Sequence, residues 1–180
     1  MQLAEQPRLL TAGEYSTLQI DARTELLGGF VYDMSPATSD AHRYATNVLV
    51  ALLNQALFPR YFAQADNSVA IPDWEGNDAP RPDVAVIVNR YAAPTAADAV
   101  ALIEVSDTSY GRDRGYKIPL YVRAGVPAYL VNIDRRQVEF YGSPADLELR
   151  HGVVYAYGSA FDVLDVRIAV ADLFQPPEKA

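Results

Sequence analysis

Two apolar runs limit this chain more than anything else in it. One is Val84-Ala85-Val86-Ile87-Val88, held between Pro82 and Asn89. The other is Val100-Ala101-Leu102-Ile103-Glu104-Val105-Ser106. Short apolar runs rich in β-branched residues and bounded by turn residues read as buried strands. Each run carries an acid: Asp83 opens the first, and Glu104 interrupts the second 21 residues later. A third acid, Glu25, begins the apolar stretch "ELLGGFVY". Buried strands do not usually hold carboxylates unless these are paired or bind a metal, because a lone one costs several kcal/mol.

The rest of the chain supplies the cover such strands need. "LLTAGEYSTLQ" predicts a short helix with Thr11 as N-cap and Glu14 as its capping-box partner. "TELLGGFVYDMS" predicts two strands around Gly28-Gly29, and "SPATSD" a loop. From Asp40 to Leu57 the pattern is helical. Ala41, Ala45, Val48, Leu52 and Ala56 recur on one face, widened by Leu49 and Leu53, and Pro59 stops the helix. "YFAQADNSVAI" reads as a strand, and "PDWEGNDAPRP" as a polar loop holding the only tryptophan.

Arg112 to Ala124 predicts a second helix, with Gly125 as C-cap and Pro119 marking a kink or a late start. "PAYLVNI" and "QVEFYG" are strands around "DRR". The tail predicts a last β-ribbon and a closing turn, with His151 as a hairpin residue. Strands outnumber helices, which implies an α/β (α+β) mixed sheet flanked by helices. At 180 residues one domain, 1–180, is expected, with a core of ordinary size.

Composition narrows the chemistry. There is no cysteine, so disulfides, thiolate metal sites and Cys nucleophiles are excluded. "MQLAEQPRLL" has no apolar h-region and no run approaches membrane-spanning length; a cytoplasmic location is expected. The formal net charge of −8 argues against a generic nucleic-acid coat protein. Between Arg112 and Arg136, however, six basic residues stand against two acidic ones; from charge alone this is a solvated helix face plus a turn. Gly-rich phosphate loops, GxSxG elbows and zinc-spaced histidine pairs are absent.

If the two apolar strands are sheet neighbours, Asp83 and Glu104 converge at one edge. Their charges would repel unless a cation lay between them. Oxygen-only ligands suit Mg²⁺ or Mn²⁺, which bind through one or two carboxylates and keep several waters. Lys117 lies 13 residues past Glu104, and Asp113, Lys117 and Tyr121 share one helix face. With that helix on the sheet, the ammonium reaches the two carboxylates. Each residue also has a plainer reading. Asp83 would end a turn, Glu104 would face water or pair with an arginine, and Asp113–Lys117 would be a surface ion pair worth a few tenths of a kcal/mol.

The series "RPDVAVIV", "LIEVSDTS" and "DRGYKIPLYVRAGVPAYLVN", with "LLTAGEY", "ELLGGFVYDMSP" and His42 upstream, resembles the Uma-two restriction-endonuclease family of the PD-(D/E)XK nuclease superfamily. The likeness runs from about Thr11 to Tyr141. It implies a restriction-endonuclease-like fold with a four-stranded mixed core sheet, and a Mg²⁺-dependent phosphodiesterase centre acting on DNA. Asp83 matches the motif's Asp and Glu104 its second acid. The usual lysine two residues later is absent, since Ser106 stands there, and Lys117 from the next helix matches the lysine thought to replace it. Glu25 matches an acid from an early element, and His42 the helix-start histidine, which by itself would be assigned no role. On this reading Asp83 and Glu104 hold the ion with the Val105 carbonyl as a third ligand, Lys117 assists the water, and Glu25 positions water or a second ion. Gly28 and Phe30 stand where the family often has acids. A homodimer is expected by analogy and because strand edges need cover. Two readings stay open beside the endonuclease: a non-catalytic binding or scaffold protein on the same fold, and an enzyme on a small phosphoester.

Overall fold

In a computed structural model the described residues are 8–18, 23–34, 39–71, 76–88, 93–148 and 152–174. The loop expected at "SPATSD" lies largely outside them, as do Trp74 and His151.

Local signals act as expected at the N-terminal end. Helix α1 (Ala12–Thr17) is capped by Thr11, whose Oγ1 accepts from the Glu14 N–H at 3.1 Å while Glu14 Oε2 accepts from the Thr11 N–H at 2.9 Å. Strands β1 (Thr24–Leu27) and β2 (Phe30–Asp33) form an antiparallel hairpin. Gly28 and Gly29 make its turn at φ +58° and +80°, a left-handed pair that L side chains adopt only with strain.

The body is one six-stranded mixed sheet in the order β3-β4-β5-β6-β7-β8. The strands are β3 (Tyr61–Ala65), β4 (Val84–Val88), β5 (Ala99–Ser106), β6 (Ala128–Asn132), β7 (Gln137–Tyr141) and β8 (Val153–Ala156). Only β5 and β6 run parallel; the other neighbours are antiparallel. The four-stranded core expected from the resemblance is thus extended by two strands. A separate ribbon, β9 (Ala160–Val163) with β10 (Val166–Ala169), closes over one face.

Side-chain parity sorts the two central strands. Val84, Val86, Ala101, Ile103 and Val105 face helix α2 (Asp40–Leu57), together with Phe161 and Ile168 of the ribbon. Ala85, Ile87, Leu102 and Leu130 face the other way, onto Ile118, Tyr121 and Val122. Both faces of the sheet are covered, which is why these strands read as unbroken apolar runs rather than alternating ones.

The buried line on α2 is Ala45, Leu49, Leu53 and Leu57, spaced four apart. Ala41 and Ala56, expected on the buried stripe, are exposed. Alanine favours a helix whether buried or not, so it marks the element without marking the face. Leu49 is fully buried at the centre of this line. Leu49→Ala is expected to cost about 2–5 kcal/mol in urea unfolding, with the m-value retained.

The chain crosses from β5 to β6 through one helical segment of three parts. These are a single turn α3 (Tyr110–Arg112), a π-helical turn Asp113–Lys117, and α4 (Ile118–Arg123). The Ile118 N–H bonds the Asp113 carbonyl, five residues back. The expected disturbance at Pro119 takes this form. Proline has no N–H to give residue 115 and its ring crowds that carbonyl, and a widened turn just ahead of it relieves both. Gly125 ends the segment at φ +81°, with its N–H on the Val122 carbonyl. A short helix α5 (Pro144–Glu148) follows β7. No described helix is long and apolar enough to cross a membrane.

Candidate active site

The ladder between β4 and β5 places the two acids. It is antiparallel and pairs Val84 with Ile103. One residue beyond that pair, Asp83 stands opposite Glu104. Parity puts Asp83 with Ala85 and Ile87, and Glu104 with Leu102, on the face that carries α4. Directly opposed residues on one face have Cβ atoms roughly 5 Å apart. Both side chains line one half-open cavity of about 710 Å³, whose wall also includes His42, Lys117, Asp113 and Arg112.

Each acid is held by specific donors. Asp83 Oδ2 accepts the Val105 N–H at 2.8 Å, and Oδ1 lies 3.0 Å from His42 Nε2. His42 sits in the first turn of α2, where its own N–H bonds the Ser39 N-cap side chain at 3.1 Å. That cap fixes the helix start and so aims the imidazole at the mouth of β4. Burial raises the Asp83 carboxyl pKa, but His42, Lys117 and the Val105 N–H together outweigh it, and the group rests below the ordinary carboxylate value.

Glu104 is 2% exposed. Its Oε1 accepts from Lys117 Nζ at 2.8 Å and from the Tyr121 hydroxyl at 2.5 Å. Burial, with Asp113 and Asp83 nearby, drives its pKa well above the ordinary value, and Lys117 opposes this only in part. Lys117, 1% exposed, spends its three N–H donors on Glu104 Oε1, on the Arg81 carbonyl at 3.0 Å and on Glu25 Oε2 at 3.2 Å. Burial lowers its pKa, but Glu104 and Glu25 more than reverse this, and it stays an ammonium.

Glu25 is fully buried on β1. The Arg81 N–H reaches its Oε2 at 3.3 Å, and Arg112 stands 3.7 Å from Oε1. The lysine therefore bridges Glu104 and Glu25 rather than Glu104 and Asp83; its effect on Asp83 is electrostatic alone. Asp113 is no surface partner of Lys117: it is buried and accepts from Ser106 Oγ at 2.5 Å and from Ser109. Glu104 likewise is not an edge acid in open solvent, and its cation is a lysine, not an arginine. Gly28 and Phe30 lie off the cavity wall, Phe30 on an exposed strand.

Four buried acids, Glu25, Asp83, Glu104 and Asp113, thus meet one buried ammonium. Among the described residues no group of three or more His, Asp or Glu side chains encloses a metal position. A Mg²⁺ or Mn²⁺ ion does not need such a cage, since one or two carboxylates and waters suffice. The donor set fits one. Each Asp83 oxygen keeps a lone pair beyond its hydrogen bond. Among the described residues no donor reaches Glu104 Oε2. The Val105 N–H points toward β4, and in an extended strand the carbonyl of the same residue points the same way.

A six-stranded mixed sheet flanked by helices, with two cross-strand acids and a lysine lining one cavity, fits the restriction-endonuclease-like fold. The sequence matches the Uma2 family, described as "Putative restriction endonuclease", over residues 12–166, and the chain belongs to that family. A crystal structure from Anabaena variabilis, described as "a putative nuclease belonging to DUF820", is similar with a TM-score of 0.73. The likeness covers 92% of this chain and 97% of that one at 16% identity, which supports a shared fold. No curated protein matches the chain.

Proposed function

We propose that this protein is a Mg²⁺-dependent endonuclease that hydrolyses DNA phosphodiester bonds, with Mn²⁺ able to replace Mg²⁺. The observation that carries this reading is the placing of Asp83 across from Glu104 on one sheet face, both lining one cavity with Lys117. Asp83, Glu104 Oε2 and the Val105 carbonyl would hold the ion. Bound there, it would lower the pKa of a water and neutralise charge on the reacting phosphate.

The chain's own groups prepare that chemistry. His42 orients Asp83 and, with Lys117, keeps it ionised. Lys117 holds Glu104 and Glu25 together and supplies fixed positive charge to a phosphate in the cavity. Glu25 is fully buried and off the cavity wall, so opening its 3.2 Å contact with Lys117 is what would admit a water to it. Glu25 would position that water as its oxygen bonds to phosphorus and the ester P–O bond breaks; the water gives up a proton to solvent in the half-open cavity, and the departing oxygen takes one from it.

The direct test is nicking of supercoiled plasmid by purified protein with Mg²⁺ or Mn²⁺, and its absence with EDTA. His42→Ala is expected to slow nicking about 10- to 100-fold, the usual effect of losing a group that orients a metal ligand. An unchanged rate would remove His42 from the mechanism. The acids Asp33 and Asp107 on the cavity wall favour a second reading, a non-catalytic binding protein, because phosphate contacts need local positive charge. Protein that neither nicks DNA nor takes up divalent ions in calorimetry would overturn the nuclease reading and favour this one.

A homodimer belongs to the same proposal. Strand β2 exposes all four of its residues, among them Phe30, Val31 and Tyr32, along a sheet edge. Sedimentation at twice the chain mass is expected; a monomer at micromolar concentration would refute it.

A further inference from the structure

Tyr121 lies one turn beyond Lys117 and is fully buried on α4. Its ring packs in the apolar cluster with Leu102, Ile118 and Leu130. Its hydroxyl donates to Glu104 Oε1 at 2.5 Å, the same oxygen that receives Lys117. Two donors therefore converge on one oxygen. Glu104 Oε2 takes no hydrogen bond from any described residue, and it is not one of the buried polar atoms left without a partner. Since Glu104 lines the cavity, Oε2 is the oxygen presented to it.

We propose that Tyr121 is a positioning residue for the metal-binding carboxylate: together with Lys117 it fixes Glu104 Oε1, and so turns Oε2 toward an ion bound beside Asp83. This rests on the reading of the cavity as a divalent-ion site. A glutamate has three side-chain torsions, and its terminal one is broad. Lys117 restrains it weakly, because a flexible stem carries an ammonium shared among three acceptors. Tyrosine restrains it better. Its rigid ring has two torsions and is locked by packing, so its hydroxyl is a fixed point. A buried tyrosine hydroxyl needs some acceptor in any case. Were that need the whole reason for the contact, removing the hydroxyl would leave ion binding untouched.

Tyr121→Phe keeps the ring and removes the donor. Wild type and Y121F would be titrated with Mn²⁺ by calorimetry at one pH, and both crystallised without metal. Wild type is expected to bind one Mn²⁺ and Y121F to bind it at least tenfold more weakly. In the Y121F crystal the Glu104 carboxylate is expected to adopt a second orientation, with the backbone unmoved. Equal Mn²⁺ affinity in the two proteins, or an undisturbed Glu104 carboxylate in Y121F, would overturn the assignment while leaving the ion site standing. A wild type that takes up no Mn²⁺ would instead overturn the ion site, and the role of Tyr121 with it.

Discussion

Lys117→Met is expected to destabilise the protein by about 3–5 kcal/mol in urea unfolding, the largest effect of any single substitution in the site. Methionine matches the lysine stem in volume, so little is lost in packing. What is lost is the ammonium bridging Glu104 and Glu25, both buried away from water. Breaking a buried pair from one side leaves an uncompensated charge, which costs far more than the net value of the intact pair. Here Glu104 and Glu25 lose their shared cation, so that Glu104, whose pKa burial already raises, folds only by taking up a proton, and the Arg81 carbonyl loses its donor as well. Arg112, 3.7 Å from Glu25 and partly exposed, offsets only part of this. A loss below about 1 kcal/mol would mean that solvent reaches the cluster and that the lysine behaves as a surface ion pair.

If Asp83 is the ligand proposed above, Asp83→Ala is expected to reduce metal-dependent nicking by more than about a hundredfold, since losing a ligand costs more than losing the group that orients it. Asp83→Asn keeps the shape and separates charge from structure. It retains an oxygen for the Val105 N–H but forfeits the negative charge. The two variants should therefore be comparably inactive while Asn costs less stability. Initial rates of plasmid nicking, with unfolding curves for each protein, test this. Full activity in both variants would place the nuclease elsewhere, in another site or another protein.

These effects follow from a layout that was partly legible in the sequence. The strand identities, the bounds of α2 and the hairpin at Gly28-Gly29 all follow from local rules, and these elements are governed by local energetics. The pairing of Asp83 with Glu104 was legible as well. Two consecutive buried strands, each with one acid, have few ways to be arranged in a sheet.

Other features were not legible, each for a physical reason. A disturbance at Pro119 was legible, but not its form, a π turn over Asp113–Lys117 that ends at Lys117 itself. The second partner of Lys117 is Glu25, 92 residues earlier, and only the tertiary fold brings them together. His42 carried no signal apart from the resemblance. Its role depends on the first turn of α2 meeting the start of β4, and neither segment encodes that meeting. Tyr121 was visible as sharing a face with Lys117, but nothing in that spacing shows that both converge on one glutamate oxygen. The strand expected over residues 61–71 ends at Ala65, and β8, expected in the tail ribbon, joins the main sheet while β9 pairs β10, because edge pairing between distant segments is not written in any one of them.

The central claim is that Asp83 and Glu104 share one divalent ion. Anomalous diffraction from a crystal soaked in Mn²⁺ tests it most directly. One peak about 2.1 Å from an oxygen of each carboxylate is the predicted result. A cavity without a peak, or a peak held by Asp33 and Asp107 instead, would contradict it.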